Sequence, residues 1–323
     1  MKILVTGAGG FIGTALTRAL LDAGTLRDPS GISRTIEHIL IADLHLPDIR
    51  DSRLVRAQKD ITDASLQRDI AEWKPDAVFH LAAVLTSAAE REPARAMAVN
   101  VSALAALVES VARKPEPPRL IFPSSIAVFG GKLPDIVDDD LAQHPQTSYG
   151  THKSIAELML ADATRHGLID GRALRLPIVL VHPGPPTQAV SDRLAAIVRD
   201  AAAGRNPVSP LAATTRVPVV CVQTVVRNLI ALHDADKATL GDGIAFNQPA
   251  LTVSMNEIVA ATRKVVPGAG NLDFSFSSDS ALEAIVAGWP KGFVSARAHA
   301  LGITPDLSFE DIVTHYMKSI THE

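Results

Sequence analysis

KILVTGAGGFIG, residues 2–13, joins an apolar β-branched run to a glycine-rich turn and then to a helical pattern. Gly7, Gly10 and Gly13 fall three apart within it. The first glycine permits a tight turn out of the strand, the second lets a ligand come close to the backbone, and the third lets the helix pack on the strand. Amides at the helix start then meet a phosphate charge. A strand before the glycines and a helix after them turn a bare glycine pattern into a dinucleotide-binding signature. Phe11 and Ile12, between the last two glycines, share that contact.

Short apolar runs recur downstream, at residues 3–5, 38–41, 77–80, 119–122 and 172–176. Helical patterns separate them: residues 13–23 carry Leu16, Leu20 and Ala23 on one face, and residues 94–112 are rich in alanine and aliphatic side chains. Such alternation predicts an α/β fold, a Rossmann-type doubly wound parallel sheet with helices on both faces. Beyond Pro177 the pattern loosens into HPGPPT, a helix over residues 192–202 and the proline-broken RNPVSPLAATTRVP. The expected division is residues 1–176 as the dinucleotide-binding domain with the reactive groups, and residues 177–323 as a smaller α/β substrate-binding region interleaved with it.

Asp43 closes the second sheet strand in HILIADL, where its carboxylate can accept both adenosine ribose hydroxyls and repel a 2′-phosphate. This points to NAD rather than NADP, with an exposed strand-end aspartate as the competing reading. The insertion TLRDPSGISRTIEH makes the spacing long, so the assignment rests on position after the strand. Asp60 and Ile61, in QKDITD, end the third strand and are candidates for the adenine edge.

Tyr149 and Lys153 stand four apart in YGTHKSIAEL, on one face of a helix. A free tyrosine is almost wholly protonated at neutral pH, but a neighbouring ammonium and an oxidised nicotinamide stabilise the phenolate. Tyr149 can then take a proton from a substrate hydroxyl while the adjacent carbon gives up hydride. Ser125, in IFPSSIAVFG after the apolar run 119–122, is the hydroxyl partner, with Ser124 beside it.

Composition narrows the partners. Of the 323 residues 47% are hydrophobic and 20% charged, and the net charge of −4 offers no basic field for nucleic acid. The start at Met1 leaves no room for a secretory leader, and apolar runs such as residues 173–181 are broken by Arg175 and Pro177, so the expectation is a cytoplasmic protein with no membrane partner. Cys221, in VPVVCV, reads as a buried thiol, and no metal site is expected. His80 reads as a packed residue, His152 as exposed, Trp289 as packing with a wall of the substrate pocket as the competing reading, and Asp138 to Asp140 as a solvated loop.

TGAGGFIG, HLAA, the asparagine of AVNVSAL, FPSSIAVFG and YGTHK, in that order, resemble the extended short-chain dehydrogenase/reductase superfamily across nearly the whole chain. The resemblance implies a catalytic set of Ser125, Tyr149 and Lys153, with Asn100 supporting the lysine through water. It also implies that Leu81, Ala82 and Ala83 line the cofactor path and that Leu176 and Ile178 flank the nicotinamide. PQTSYGTHK, DGRALRLPIVLVHPG, the Ser-Ala-Ala-Glu after HLAAVLT, and VAGWPKGF are similar to a narrower group, the D-erythronate dehydrogenases, which implies NAD-linked oxidation of a four-carbon sugar acid at C2. The chain departs from the wider pattern at Pro123, Phe129 and His182.

An aldonate needs a cation or several donors for its carboxylate. Arg216, in TTRVPVV, is the cationic candidate, with a surface charge as the competing reading; Ser87 and Thr86 are candidate hydroxyl contacts or helix caps. Three functions compete: a sugar-acid dehydrogenase releasing NADH, a nucleotide-sugar epimerase or dehydratase that returns the hydride, and a catalytically silent NAD sensor. Apolar helices over residues 101–111 and 155–163, with the family likeness, favour a homodimer.

Overall fold

The computed structural model describes residues 1–112, 116–180, 189–241 and 243–321. Its centre is a sheet built from β1 (Lys2–Thr6), β2 (His38–Asp43), β3 (Leu54–Gln58), β4 (Ala77–His80), β5 (Arg119–Ser125) and β6 (Asp170–Leu176). Further on lie β7 (Ile178–Leu180), β8 (Arg216–Cys221), β9 (Ala245–Asn247) and β10 (Leu251–Ser254). The seven-stranded sheet runs β9-β6-β5-β4-β1-β2-β3, every neighbouring pair parallel. The order reverses at β1, so a crevice opens beyond the carboxyl ends of β1 and β4, where α/β folds hold their ligands.

Period-two alternation divides the side chains of the sheet between two cores. Ile3, Val5, Ile39, Ile41 and Phe79 face α1 (Phe11–Ala23) and α6 (Val222–Asp234). Leu4, Leu40, Val78, Leu120 and Phe122 face α2 (Ala64–Trp73), α3 (Ala103–Val111) and α4 (Ser148–Arg165). Each such buried side chain contributes about 1.5–3 kcal/mol. The run Pro93–Val111 is the one helical stretch among the described residues long and apolar enough to cross a membrane, yet half of it is buried, with Leu104 and Leu107 in the core.

A second sheet, β7-β8-β10, pairs β7 and β8 in parallel and β8 and β10 antiparallel. It packs with α5 (Val190–Ala202), α7 (Met255–Val265) and α8 (Phe309–Thr321) into a separate core around Leu194, Val219, Ile258 and Ile312. The two halves interlock, because α6 and β9 leave the second half to complete the first sheet. Arg172, fully buried on β6, locks α6 in place: it pairs with Asp170 and donates to the carbonyls of Leu232, His233 and Ala235.

Three expectations change, and one stretch left without an assignment gains structure. The insertion before β2 forms a small antiparallel ribbon, Thr25–Arg27 with Ser33–Thr35. Strand β3 ends at Gln58, so Asp60 and Ile61 lie in the turn after it. His152 is buried, not exposed, because α4 is covered by the Asn100 turn. Asp139 is more than a solvated loop residue: it accepts from Asn247 N and Ser295 Oγ, pinning β9 and the C-terminal segment to the loop before α4. His182 and the HPGPPT stretch lie outside the described residues.

Candidate active site

Gly7 takes a left-handed turn at φ +69°, and a Cβ there would sit 2.5 Å from Ala82 N. A Cβ on Gly13 would sit 2.1 Å from Gly7 O, so α1 starts tight against the end of β1. Gly10 differs: a Cβ there would meet nothing nearer than Gly7 O at 3.4 Å. Space is therefore kept above the uncapped first turn of α1, a cradle suited to a diphosphate.

Two cavities meet over this loop, sharing Gly7, Gly10, Leu81 and Ala83. One, about 220 Å³, is walled by Asp43, Asp60, Ile61 and Ala82 and also by Lys59 and Arg95. Asp43 Oδ2 accepts from Gly9 N at 2.9 Å, which ties the strand end to the glycine loop. Arg95 pairs with Asp60 at 2.8 Å across the cavity mouth. The other cavity, about 280 Å³, is walled by Phe11, Ile12, Gly13, Ser87, Ser125, Tyr149, Lys153, Leu176 and Ile178. Every residue expected at a dinucleotide thus borders one of two connected spaces, one with carboxylates at its far end and one with the reactive groups.

The reactive groups converge from two elements. Thr147 caps α4 by accepting from Gly150 N, and Glu90 accepts from Ser148 N, so the first turn carrying Tyr149 is anchored twice. Ser125, the last residue of β5, sets its hydroxyl beside that of Tyr149, where it favours the phenolate. Burial pushes that phenol up to about 12, and the Ser125 hydroxyl works in the opposite direction. Lys153 Nζ donates to Pro123 O at 2.7 Å and lies 4.1 Å from the Phe122 ring centre and 5.6 Å from that of Tyr149. Burial pulls its ammonium down to about 7.

Asn100 sits on a π-helical turn, Ala98–Ser102, a distortion common at functional sites. Its side chain accepts from Val84 N, donates to Val84 O and reaches His152 Nδ1 at 3.3 Å. Its hydrogen bonds thus fix the loop after β4, and Lys153 is not among its partners. Arg216 does not join the site. It is exposed at the start of β8, donating to Thr252 O and lying 3.5 Å from Glu257, and it is not among the residues that line the cavity. Trp289, read from the sequence as packing, lines the reactive cavity together with Ser191 at the start of α5. Nothing local decides between packing and pocket wall for Trp289, since it reaches the cavity only through the folding of the C-terminal segment.

A phosphate cradle that leads to a tyrosine held between a serine and a lysine defines a class: nicotinamide-dependent oxidoreductases of the short-chain type. Comparison with known proteins narrows it. The sequence profile of the NAD dependent epimerase/dehydratase family matches residues 3–245, and the chain belongs to that family, within the extended short-chain dehydrogenase/reductases. A D-erythronate dehydrogenase of Cupriavidus necator is 36% identical over 319 residues, covering 98% of both chains. One of Haemophilus influenzae is 30% identical over 321 residues, covering 98% of this chain and 99% of its own. Among solved structures, the nucleoside-diphosphate-sugar epimerase from Agrobacterium tumefaciens is similar with a TM-score of 0.91 at 29% identity, covering 100% of this chain and 95% of that one. The protein is an NAD-dependent oxidoreductase acting on a small molecule.

Proposed function

We propose that this enzyme is an NAD-selective dehydrogenase that oxidises the C2 hydroxyl of a short sugar acid, D-erythronate to 2-oxo-erythronate. The observation that carries a dehydrogenase is the meeting of Ser125, Tyr149 and Lys153 in one cavity that continues over the glycine cradle. A small substrate is supported by size: about 280 Å³ lies at or below the low end of the ~300–1,000 Å³ of pockets for drug-sized ligands, little room for a nucleoside diphosphate sugar beside a nicotinamide. The names of the two relatives support the sugar acid.

Gly7, Gly10, Leu176 and Ile178 would hold an oxidised nicotinamide dinucleotide, which would supply the hydride acceptor for C2. Tyr149 Oη takes the proton of the C2 hydroxyl, and the products are the ketone, reduced cofactor and a proton. Ser125 Oγ hydrogen-bonds at that position and orients the hydroxyl. Lys153 supplies the cation that makes a phenolate attainable, and it must be protonated to do so. Among the described residues no other cation lines this cavity. The acid is therefore met by hydroxyl groups: Ser87 and Thr86 on one wall and Ser191 on the other. Asp43 reads the adenosine ribose and excludes a 2′-phosphate. We further infer a homodimer formed through α4 and the helical run 93–111, which lie side by side and expose Leu158 and Met97.

A screen of the purified protein for NADH formation with four- and five-carbon aldonates and with UDP-sugars tests the assignment. NADH is expected with D-erythronate or a close aldonate. Turnover of UDP-sugars alone, without net NADH, overturns the assignment in favour of an epimerase.

A further inference from the structure

The end of β5 is laced to α4 one residue at a time. Pro123 O accepts from Lys153 Nζ at 2.7 Å, Ser124 Oγ donates to Glu157 Oε1 at 2.5 Å, and the Ser125 hydroxyl stands beside Tyr149. Tyr149, Lys153 and Glu157 follow one another at four-residue steps, one stripe of the helix. The first two rungs carry the chemistry. Glu157 makes the third, is 4% exposed and does not line the cavity.

Its carboxylate is fully engaged. Arg175 on β6 grips it from the far side, Nη2 to Oε2 at 2.9 Å and Nε to Oε1 at 3.1 Å, and Gln143 Nε2 donates to Oε2 as well. Arg175 is itself buried, stacked 5.1 Å from the centre of Phe129 and donating to Asp139 O. A buried ion pair of this kind adds little stability over apolar side chains of equal volume. Its place directly beneath the reactive stripe gives it a different use.

We propose that Glu157 is a positioning residue for the reaction: anchored by Arg175, it holds residues 123–125 in register with Tyr149 and Lys153 and keeps a negative charge behind the Lys153 ammonium. The groups around that ammonium bear this out. Phe122 and Pro123 O face it from β5, His80 from β4, Tyr149 and Glu157 from α4, and Arg175 stands behind Glu157 on β6. His80 is kept neutral by burial, and Glu157 alone of this set is an anion. Burial draws Lys153 down to about 7 while the Glu157 charge pulls it back up. Without that charge the amine loses its proton at lower pH, and Tyr149 loses its cation at the pH where it works.

The inference rests on Tyr149 acting as the base, so the first readout uses no substrate. In the full-length protein with 13C-labelled lysine, the Lys153 resonance, identified by its loss in Lys153→Arg, is titrated by NMR. In Glu157→Gln its midpoint is expected to fall by about one pH unit or more. The second readout is kcat against pH on the substrate found in the NADH screen. The alkaline limb should move down with the midpoint, kcat at pH 8 should fall about tenfold with KM changed less than about twofold, and Glu157→Asp should recover part of the loss. If Glu157→Gln does not fold because Arg175 is left unpaired, Glu157→Gln combined with Arg175→Gln is read the same way. An unchanged Lys153 midpoint with unchanged kcat and KM, even beside a lowered melting temperature, overturns the proposal and leaves Glu157 a structural residue. A shifted midpoint in a protein that oxidises no aldonate supports the proposal while removing the sugar-acid assignment.

Discussion

At the scale of single residues, the proposed role of Tyr149 as base depends on its neighbours. Burial pushes its phenol up to about 12, with Ser125 acting against that rise, so the proposed proton removal near neutral pH needs positive charge beside it. Tyr149→Phe is expected to lower kcat by about 10³-fold while calorimetry shows NAD affinity within about threefold of wild type; near-normal turnover would take the tyrosine out of the mechanism. Asp43 accepts from Gly9 N and lines the cavity beyond the glycine loop, where the proposal places the adenosine. Asp43→Asn keeps an acceptor for Gly9 but removes the charge, and the NAD-to-NADP ratio of kcat/KM is expected to drop at least about tenfold. A ratio unmoved by the change would assign ribose reading to another residue. These positions were legible in the sequence because each follows a strand at a fixed offset or shares a helix face with its partner. Arg216 was not correctly legible: its charge suits an anion, but position along β8 alone does not tell which side of a sheet edge it reaches.

At the scale of elements, β1 and β4 form the floor of the site, and a buried hydrogen bond joins their ends, Thr6 Oγ1 to His80 Nδ1 at 2.7 Å. Burial, helped by the Lys153 ammonium, pushes His80 down to about 3, against an ordinary value near 6.5. The unfolded chain therefore binds a proton that the folded one refuses between those values. Stability is complete above about pH 6.5 and falls as the pH drops toward 3, with a slope approaching ~1.4 kcal/mol per pH unit from this one group. Urea unfolding at pH 7 and pH 5 is expected to show a steeper loss for wild type than for His80→Gln. Parallel losses would mean that the histidine titrates in the folded protein as it does in water. The strands and crossover helices were readable from apolar periodicity, as was the packed state of His80. The burial of His152 was not, because the π-helical turn that covers it at Asn100 arises from one extra residue per turn, which no side-chain period announces.

At the scale of the whole molecule, the reactive cavity is closed by a segment remote in sequence. Trp289 packs between the core of the second sheet and the small cluster around Phe129 and Phe293, and from there it forms part of the cavity wall. Trp289→Ala is expected to raise KM for the substrate at least about fivefold with NAD affinity unchanged; an unaltered KM would move the substrate off that wall. The inferred homodimer predicts sedimentation at about twice 34.2 kDa, reverting to the monomer in Leu158→Glu with Met97→Glu. Taken alone, the sequence determined the parallel sheet, the glycine cradle, the meeting of Ser125, Tyr149 and Lys153, and a carboxylate at the end of β2 beside the glycine loop. Those features depend on local geometry: strand alternation, helix spacing and turns that tolerate only glycine. Tertiary structure alone decided that Trp289 and Ser191 wall the cavity, that Arg216 stands outside it, that Asp139 pins the C-terminal segment, and that Glu157 and Arg175 meet beneath the lysine. Each of these depends on which distant segments pack together, and that is settled by burial over the whole chain rather than by any pattern within one stretch of it.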